Sequence, residues 1–119
     1  NKKISIINWK KNIEKYYSKS HLFILNSFYE GLPNILIESI NNSVPCLSTD
    51  CSGVEDIFLK NKGGFIVPIN NNFLLKKKIE FILKNYKIDI KKTKIAKKNI
   101  NRFTQKNCGN YYSIVSGNL

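Results

Sequence analysis

Short apolar runs alternate along the chain with stretches whose apolar residues recur at helical spacing. The runs Ile4–Ile7, Leu22–Leu25, Pro45–Leu47 and Phe65–Val67 predict four strands. Leu22–Leu25 is apolar throughout, as buried parallel strands are. Strands that alternate with helices are typical of a parallel sheet covered by helices on both faces. The pattern therefore predicts a three-layer α/β/α fold.

Helical spacing predicts the elements between and after these strands. Short helices are expected over Asn12–Ser18 and Val54–Leu59, and a longer one from Pro33 to about Asn42. Pro33 suits the first helical position because its missing N–H would be unsatisfied there in any case. The tail Tyr111–Val115 is expected to pack back across the fold. Two amphipathic helices follow the last strand, with apolar positions Leu75, Ile79, Ile82, Leu83 and Tyr86 in the first and Ile95, Ala96, Ile100 and Phe103 in the second.

Length and composition limit the class of protein. The 119 residues, 42% of them hydrophobic, suffice for one modest core. The chain starts without Met and soon enters an apolar stretch, which predicts a segment of something longer. No run approaches the ~20 apolar residues of a membrane span, so we expect a cytoplasmic location, with contact at the inner face of the membrane. Cys46, Cys51 and Cys108 form no CxxC pair and predict reduced thiols.

The net charge of +12 raises the question of an anionic partner. Of the twenty basic residues, Arg102 is the one Arg and the others are Lys. Bidentate recognition of bases and phosphates favours Arg, and lysine runs on helices are usually solvated, so we expect no nucleic-acid partner. A basic module that binds anionic lipid or nucleic acid through the helices after Phe73 remains an alternative.

The segment Ser27–Glu38 joins a predicted buried strand to the following helix. Ligands of open α/β sheets bind beyond the carboxyl ends of the strands, where this loop is expected to lie. Gly31 allows close backbone approach, and the free N–H groups of the helix that Pro33 starts suit a diphosphate. Glu38 can accept hydrogen bonds from the vicinal hydroxyls of a ribose. The same residues also fit an ordinary turn followed by a solvated helix carboxylate.

Two motifs in order carry a family resemblance. Glu30 and Glu38 enclose seven residues within Ser-x-x-Glu-Gly-x-Pro-Asn-x-x-x-Glu, and Pro45–Glu55 follows as Pro-Cys-Leu-Ser-Thr-Asp-Cys-Ser-Gly-Val-Glu. This arrangement resembles the signature of the retaining glycosyltransferases of family 4, and the likeness covers nearly the whole chain. It implies the GT-B architecture, with residues 1–119 forming part of the Rossmann-like C-terminal donor-binding domain. The N-terminal acceptor domain is expected to lie outside the sequence.

The resemblance implies a role for each site residue. Glu30 is placed near the donor sugar as the catalytic residue, which orients the sugar and steadies positive charge at its anomeric carbon. The turn after Glu30 falls where backbone amides meet the diphosphate, and Glu38 is the ribose ligand. The loop Asn8–Lys10 falls where the base is read. The implied donor-binding residues are Gly31, Leu32, Pro33, Asn34 and Glu38.

The implied reaction moves a hexosyl or N-acetylhexosaminyl group, with retention, from a nucleotide diphosphate sugar to a glycan or lipid-linked acceptor. Surface polysaccharide or glycolipid would be the product, and Thr49–Gly53 favours a UDP-sugar. No cofactor or metal is expected because Asp-x-Asp is absent. The family's basic diphosphate-gripping residues lie upstream, so this chain alone should bind donor weakly and transfer nothing. A GT-B-fold nucleotide-sugar epimerase is the enzyme alternative.

Four residues near the motifs are expected to support structure rather than chemistry. His21 stands where the family usually has Asp, and Ser43 where a Gly normally ends the helix. Glu55 is expected to open the short helix after the third strand, where an acid is favourable. Trp9 is expected to be a half-buried anchor, with stacking on the nucleobase as the alternative.

Overall fold

A parallel sheet of three strands forms the centre of the part that the computed structural model describes, residues 3–29 and 33–103. The strands are β1 (Phe23–Leu25), β2 (Cys46–Thr49) and β3 (Phe65–Val67), in that spatial order. Ile24 lies opposite Leu47, which in turn lies opposite Phe65. Strands β1 to β3 agree with three of the four predicted runs.

Helices connect and cover these strands. Helix α1 precedes β1, α2 connects β1 to β2, and α3 connects β2 to β3, while two longer helices and a 3₁₀ turn follow β3. None of the helices within the described ranges is long and apolar enough to cross a bilayer. Their bounds are α1 Glu14–Tyr17, α2 Asn34–Asn41, α3 Val54–Phe58, α4 Asn72–Lys84 and α5 Tyr86–Asn99, with the 3₁₀ turn at Ile100–Phe103.

Side chains alternate between two covered faces of the sheet. Cys46 packs in a cluster with Leu36 and Ile40 of α2, which also includes residues of α3 and α5. Leu47, the next residue of β2, packs instead with Phe65 and with Ile82 of α4. The sheet is therefore sandwiched between helices, which confirms the expected three-layer α/β/α fold.

The expected strand over Ile4–Ile7 is wrong, because the structure forms no strand there. Ile4 and Ile6 are 84% and 95% exposed, so no element of the described residues covers them. An apolar strand depends on a paired backbone and covered faces, and this segment has neither within that part of the chain. As a result β1 lies at an edge of the described sheet, and Ile24 is 39% exposed rather than buried.

The predicted helices form with small shifts. Helix α2 begins one residue after Pro33 and ends next to Asn42 as expected. The side-chain oxygen of Asn71 accepts a hydrogen bond of 3.0 Å from the Leu74 N–H and so caps α4. Leu83 was expected on the buried face of α4 but is 58% exposed, and Tyr86 begins α5 instead of extending α4.

Helix α5 packs closely on the rest of the chain through small and polar contacts. Its Ala96 meets Gly63, where an added Cβ would come within 2.8 Å of the Ala96 Cβ. Lys97 Nζ donates to Ser43 Oγ at 2.9 Å, and Ser43 adopts the left-handed φ of 61° that usually favours glycine at a helix end. Among the core residues expected for the second amphipathic helix, Ala96 of α5 and Ile100 of the 3₁₀ turn are buried, whereas Ile95 is 41% exposed. The expected packing of Phe103 and of Tyr111–Val115 concerns side chains and residues outside those described.

One carboxylate of α5 is buried without a hydrogen-bond partner among the residues that the structure describes. Asp89 is fully buried, and neither of its carboxylate oxygens has a hydrogen-bond partner among the described residues. Burial raises the pKa of Asp89, and the nearby charge of Lys92 opposes that rise less strongly. Because the folded-state pKa is raised, the stability linked to Asp89 is present below the ordinary carboxyl pKa and is lost as pH rises through the folded-state pKa.

We therefore expect Asp89→Asn to increase the free energy of unfolding at neutral pH, by on the order of 1 kcal/mol. The difference should shrink in acid, where the wild-type carboxyl is protonated in both states. Urea unfolding across this pH range measures it, with Asp50→Asn as the control because Asp50 is exposed. A variant less stable than wild type at neutral pH would contradict this account.

Candidate functional site

The loop after β1 is tied to the neighbouring strand at the carboxyl-end edge of the sheet. Thr49, the last residue of β2, donates its hydroxyl to the Ser27 carbonyl at 2.5 Å and accepts the Ser27 N–H at 3.0 Å. Because the strands are parallel, their carboxyl ends share this edge. The sequence reasoning missed Thr49, whose hydroxyl at a strand end was the available signal.

Three of the expected site residues are described and three are not. Glu30, the expected catalytic carboxylate, lies outside the described residues together with Gly31 and Leu32. Pro33 is buried directly before α2. Asn34 and Glu38 are both exposed on that helix, Asn34 at its first position.

The orientation of Glu38 follows from the buried side of α2. Leu36, Ser39 and Ile40 are almost completely buried, and they share one side of the helix. Ser39 Oγ donates to the Leu36 carbonyl at 2.8 Å and lies 3.0 Å from Cys46 Sγ of β2. With this side fixed against the sheet, the Glu38 side chain points to solvent.

A cleft of 680 Å³ lies beside Glu38 and is called the Glu38 cleft. Besides Glu38, it is lined by residues of α1 and the segment before it, including Lys11, Glu14 and Tyr17, and by Asn41 of α2. The Tyr17 hydroxyl lies 3.4 Å from Glu38 Oε2 and 3.4 Å from the Ile35 carbonyl oxygen. Of the two carboxylates that line the cleft, Glu38 is the one that accepts a hydrogen bond from the Tyr17 phenol.

A second cleft, of 760 Å³, adjoins the first and is called the Trp9 cleft. It is lined by the loop Asn8–Lys10 and by aromatic residues that include Tyr16, and it shares Ile13 and Tyr17 with the Glu38 cleft. Trp9 itself is 85% exposed, so the expectation of a half-buried anchor is wrong. Its ring is free to contact a ligand.

Tyr17 connects the two clefts electrostatically as well as spatially. Its pKa is raised to about 12, first by burial and then by the negative charge of Glu38 and the hydrogen bond to that carboxylate. The phenol is protonated at neutral pH and donates to Glu38 Oε2, which leaves Oε1 and a second lone pair of Oε2 to accept hydrogen bonds from a ligand. From the sequence, Tyr17 was expected only to lie within the short helix Asn12–Ser18, since no local pattern relates it to Glu38.

Other polar groups lie away from these clefts. Asp50, Glu55 and Asp56 line a smaller cleft of 270 Å³ after β2, where Glu55 lies in the first turn of α3 as expected. Within residues 3–29 and 33–103, no three His, Cys, Asp or Glu side chains are grouped closely enough to hold a metal ion. His21 packs edge-on against the Tyr86 ring at 6.3 Å between centroids.

The cysteines that the structure describes are buried free thiols. Cys46 and Cys51 are both unbridged, and Cys108 lies outside the described residues. Burial raises the pKa of Cys46 to about 12, although the hydrogen bond with Ser39 opposes this shift. A thiol with such a pKa is not a nucleophile at neutral pH.

The fold is an α/β domain with a parallel sheet, and the Glu38 cleft lies between α2 and the segment that contains α1. The family model described as glycosyl transferases group 1 matches residues 1–102, and the chain belongs to that family. This agrees with the resemblance that the two Glu motifs carry.

Two relatives illustrate the family. The chain is 33% identical over 82 residues to the GalNAc-α-(1→4)-GalNAc-α-(1→3)-diNAcBac-PP-undecaprenol α-1,4-N-acetyl-D-galactosaminyltransferase of Campylobacter jejuni, a match covering 68% of this chain and 23% of the relative. It is 24% identical over 70 residues to the UDP-Gal:α-D-GlcNAc-diphosphoundecaprenol α-1,3-galactosyltransferase of Escherichia coli, covering 59% and 18%. The chain thus spans less than a quarter of the length of either relative.

A solved structure supports the fold. The C-terminal domain of a group 1 family glycosyl transferase from Francisella tularensis superposes with a TM-score of 0.69 at 15% identity, covering 82% of this chain and 50% of that one. The observed three-layer α/β/α fold is therefore that of a GT-B C-terminal domain.

The contact between Tyr17 and Glu38 predicts an effect on titration. Because the charge of Glu38 is one cause of the raised pKa, Glu38→Gln should lower the pKa of Tyr17 from about 12. It should stay above that of an ordinary tyrosine because burial is the larger cause. NMR titration of tyrosines labelled with ¹³C at the ring carbon bearing the hydroxyl measures it. Glu14→Gln, which removes a carboxylate from the same cleft, should leave the pKa of Tyr17 unchanged. Equal pKa shifts of Tyr17 in both variants would contradict a specific contact between Tyr17 and Glu38.

Proposed function

We propose that this chain holds the nucleotide diphosphate sugar in a glycosyltransferase that transfers a hexosyl or N-acetylhexosaminyl group with retention. The observation that carries the proposal is the exposed Glu38 carboxylate on α2, positioned by the Tyr17 phenol in a cleft large enough for a nucleotide ribose. Family membership supports a glycosyl transfer reaction, and the geometry of these two residues supports this place for the donor.

The ribose binds at Glu38. A carboxylate accepts both hydrogen bonds that vicinal hydroxyls can donate, which a neutral side chain does less strongly. Tyr17 donates to Oε2, so the carboxylate is oriented before the ligand arrives and loses less freedom on binding. Lys11 lines the same cleft and is available to a phosphate oxygen.

The base then occupies the Trp9 cleft. This cleft meets the Glu38 cleft at Tyr17, as a base and a ribose joined by one glycosidic bond require. The exposed Trp9 ring offers a face for stacking, an interaction that every nucleobase can make. We favour uridine because the Thr49–Gly53 segment resembles family members that use N-acetylated sugars. The name of the Escherichia coli relative includes UDP-Gal, which supports the same choice.

The diphosphate lies at the start of α2, in contact with Gly31, Leu32, Pro33 and Asn34. Free N–H groups of the first helical turn stabilise negative charge, which grows on the diphosphate as it leaves the sugar. No metal or other cofactor is needed for this in the mechanism we propose, in which Glu30 orients the sugar and steadies its anomeric carbon.

The acceptor is a glycan or a lipid-linked glycan, and the reaction takes place in the cytoplasm at the inner face of the membrane. The printed names of the two relatives describe transfer to undecaprenol-linked sugars, which supports such an acceptor. Residues 1–119 then form part of the donor domain of a longer enzyme that builds surface polysaccharide or glycolipid. By itself the chain binds donor weakly and transfers nothing.

Calorimetry of the chain with UDP tests the site. Glu38→Ala should weaken binding about ten- to a hundredfold, because it removes a charged acceptor of two hydrogen bonds. Glu14→Ala is the matched control, since it removes the same charge from the same cleft and should change the affinity less than about threefold. Equal affinities of wild type and Glu38→Ala would remove Glu38 from the donor site. Equal losses of UDP affinity in both variants would show that Glu38 acts only through its negative charge and does not contact the ribose.

A further inference from the structure

Helix α4 exposes aromatic and basic side chains on one side. Phe73 is 67% exposed, Leu74 40% and Phe81 43%. At about 100° per residue, these three lie with Lys77 and Lys78 within an arc of about 140°, beside the stripe of α4 that packs on the core. We call these five residues the α4 face.

Positive charge is concentrated on this face. The Lys77 ammonium lies 5.5 Å from the centroid of the Phe73 ring, and the Lys78 ammonium lies 5.4 Å from that of Phe81. Lys92 of α5 adds a third charge nearby, and after burial the charge of Lys78 is the next cause that lowers the pKa of Lys92. The Lys78 and Lys92 ammonium groups repel each other, so an anion beside them would be attracted by both.

A groove extends the α4 face toward the end of β3. It has a volume of 320 Å³, and Val67 and Pro68 line it together with Leu74, Phe81 and the two lysines of the face. Its walls are thus apolar side chains bordered by ammonium groups. Glu80 is the one acid within α4, and it falls outside the arc, beside Phe73.

We propose that the α4 face binds the surface of a bilayer that contains anionic phospholipid. The lysines meet the phosphates of the headgroups, while Phe73, Leu74 and Phe81 enter the boundary between headgroups and acyl chains. The net charge of +12 attracts the whole chain to such a surface. This surface is separate from the donor clefts, so the proposal does not depend on the proposed function.

Single-stranded nucleic acid is the rival partner, because a basic groove with aromatic side chains also binds bases. Base stacking requires free ring faces. The ammonium groups of Lys77 and Lys78 already lie over the rings of Phe73 and Phe81. Insertion into a lipid interface uses the exposed edges of the rings together with the aliphatic Leu74, which offers nothing to a base. The bilayer therefore fits this face better.

The chain offers a matched control surface on α5. Lys94, Ile95 and Lys98 surround a groove of 630 Å³ that shares no lining residue with the first. Ile95 is 41% exposed, close to the 43% of Phe81. The pair Lys94 and Ile95 thus matches Lys77 and Phe81 in charge and exposure but has no aromatic ring.

Co-sedimentation with vesicles tests the proposal. The protein should bind vesicles of phosphatidylglycerol mixed equally with phosphatidylcholine and not vesicles of phosphatidylcholine alone. Lys77→Gln/Phe81→Ser should weaken this binding about tenfold or more, whereas Lys94→Gln/Ile95→Ser should stay within about twofold of wild type. Circular dichroism checks that each variant is folded. Should a double variant not fold, Lys77→Gln compared with Lys94→Gln gives the same contrast without changing an apolar contact.

Three results would overturn it. Equal losses in the α4 and α5 variants would show that total charge, and not this face, attracts the protein. Equal binding to both kinds of vesicle would remove the lysines from the interaction. Release of the protein from anionic vesicles by a single-stranded oligonucleotide, with a loss of oligonucleotide binding in Lys77→Gln/Phe81→Ser, would assign the face to nucleic acid.

Discussion

The rotation of α2 about its own axis is the constraint from which the site follows. Leu36 and Ile40 are buried between the sheet and α5, and Ser39 bonds across to Cys46 of the central strand. Because the helix is fixed on that side, the direction in which the Glu38 side chain leaves α2 is fixed as well. The carboxylate therefore points into a cleft, where Tyr17 of α1 meets it. Loosening the packing of α2 would disturb the site without changing any residue in it.

The sequence could predict those parts of the fold whose signal is local. Apolar runs correctly predicted β1, β2 and β3, and Pro33 marked the start of α2 within one residue. The same signal failed at Ile4–Ile7, because a run of apolar residues becomes a strand only where a neighbour pairs with it and a layer covers it. Whether Ile4–Ile7 forms a strand therefore depends on its surroundings in the fold, which the run of residues does not reveal.

The candidate site divides in the same way. Glu38 was recognisable because a strand, a turn and a helix with spaced carboxylates form a pattern along the chain. Tyr17 was not, because it lies twenty-one positions before Glu38 and only the folded chain brings the two side chains together. Thr49 supports the loop after β1 through Ser27, which lies twenty-two positions earlier in the chain. Residues that position others across elements carry little local signal, and Glu30, Gly31 and Leu32 remain predictions.

The central claim is that Glu38 binds the ribose of a nucleoside diphosphate. A crystal structure of the chain with UDP tests this most directly, through the distances from the Glu38 carboxylate oxygens to the two ribose hydroxyls. Both hydroxyls are expected within about 3.2 Å of the carboxylate, the range of ordinary hydrogen bonds, with the base beside Trp9. A nucleotide bound elsewhere, or bound with its ribose turned away from Glu38, would contradict it.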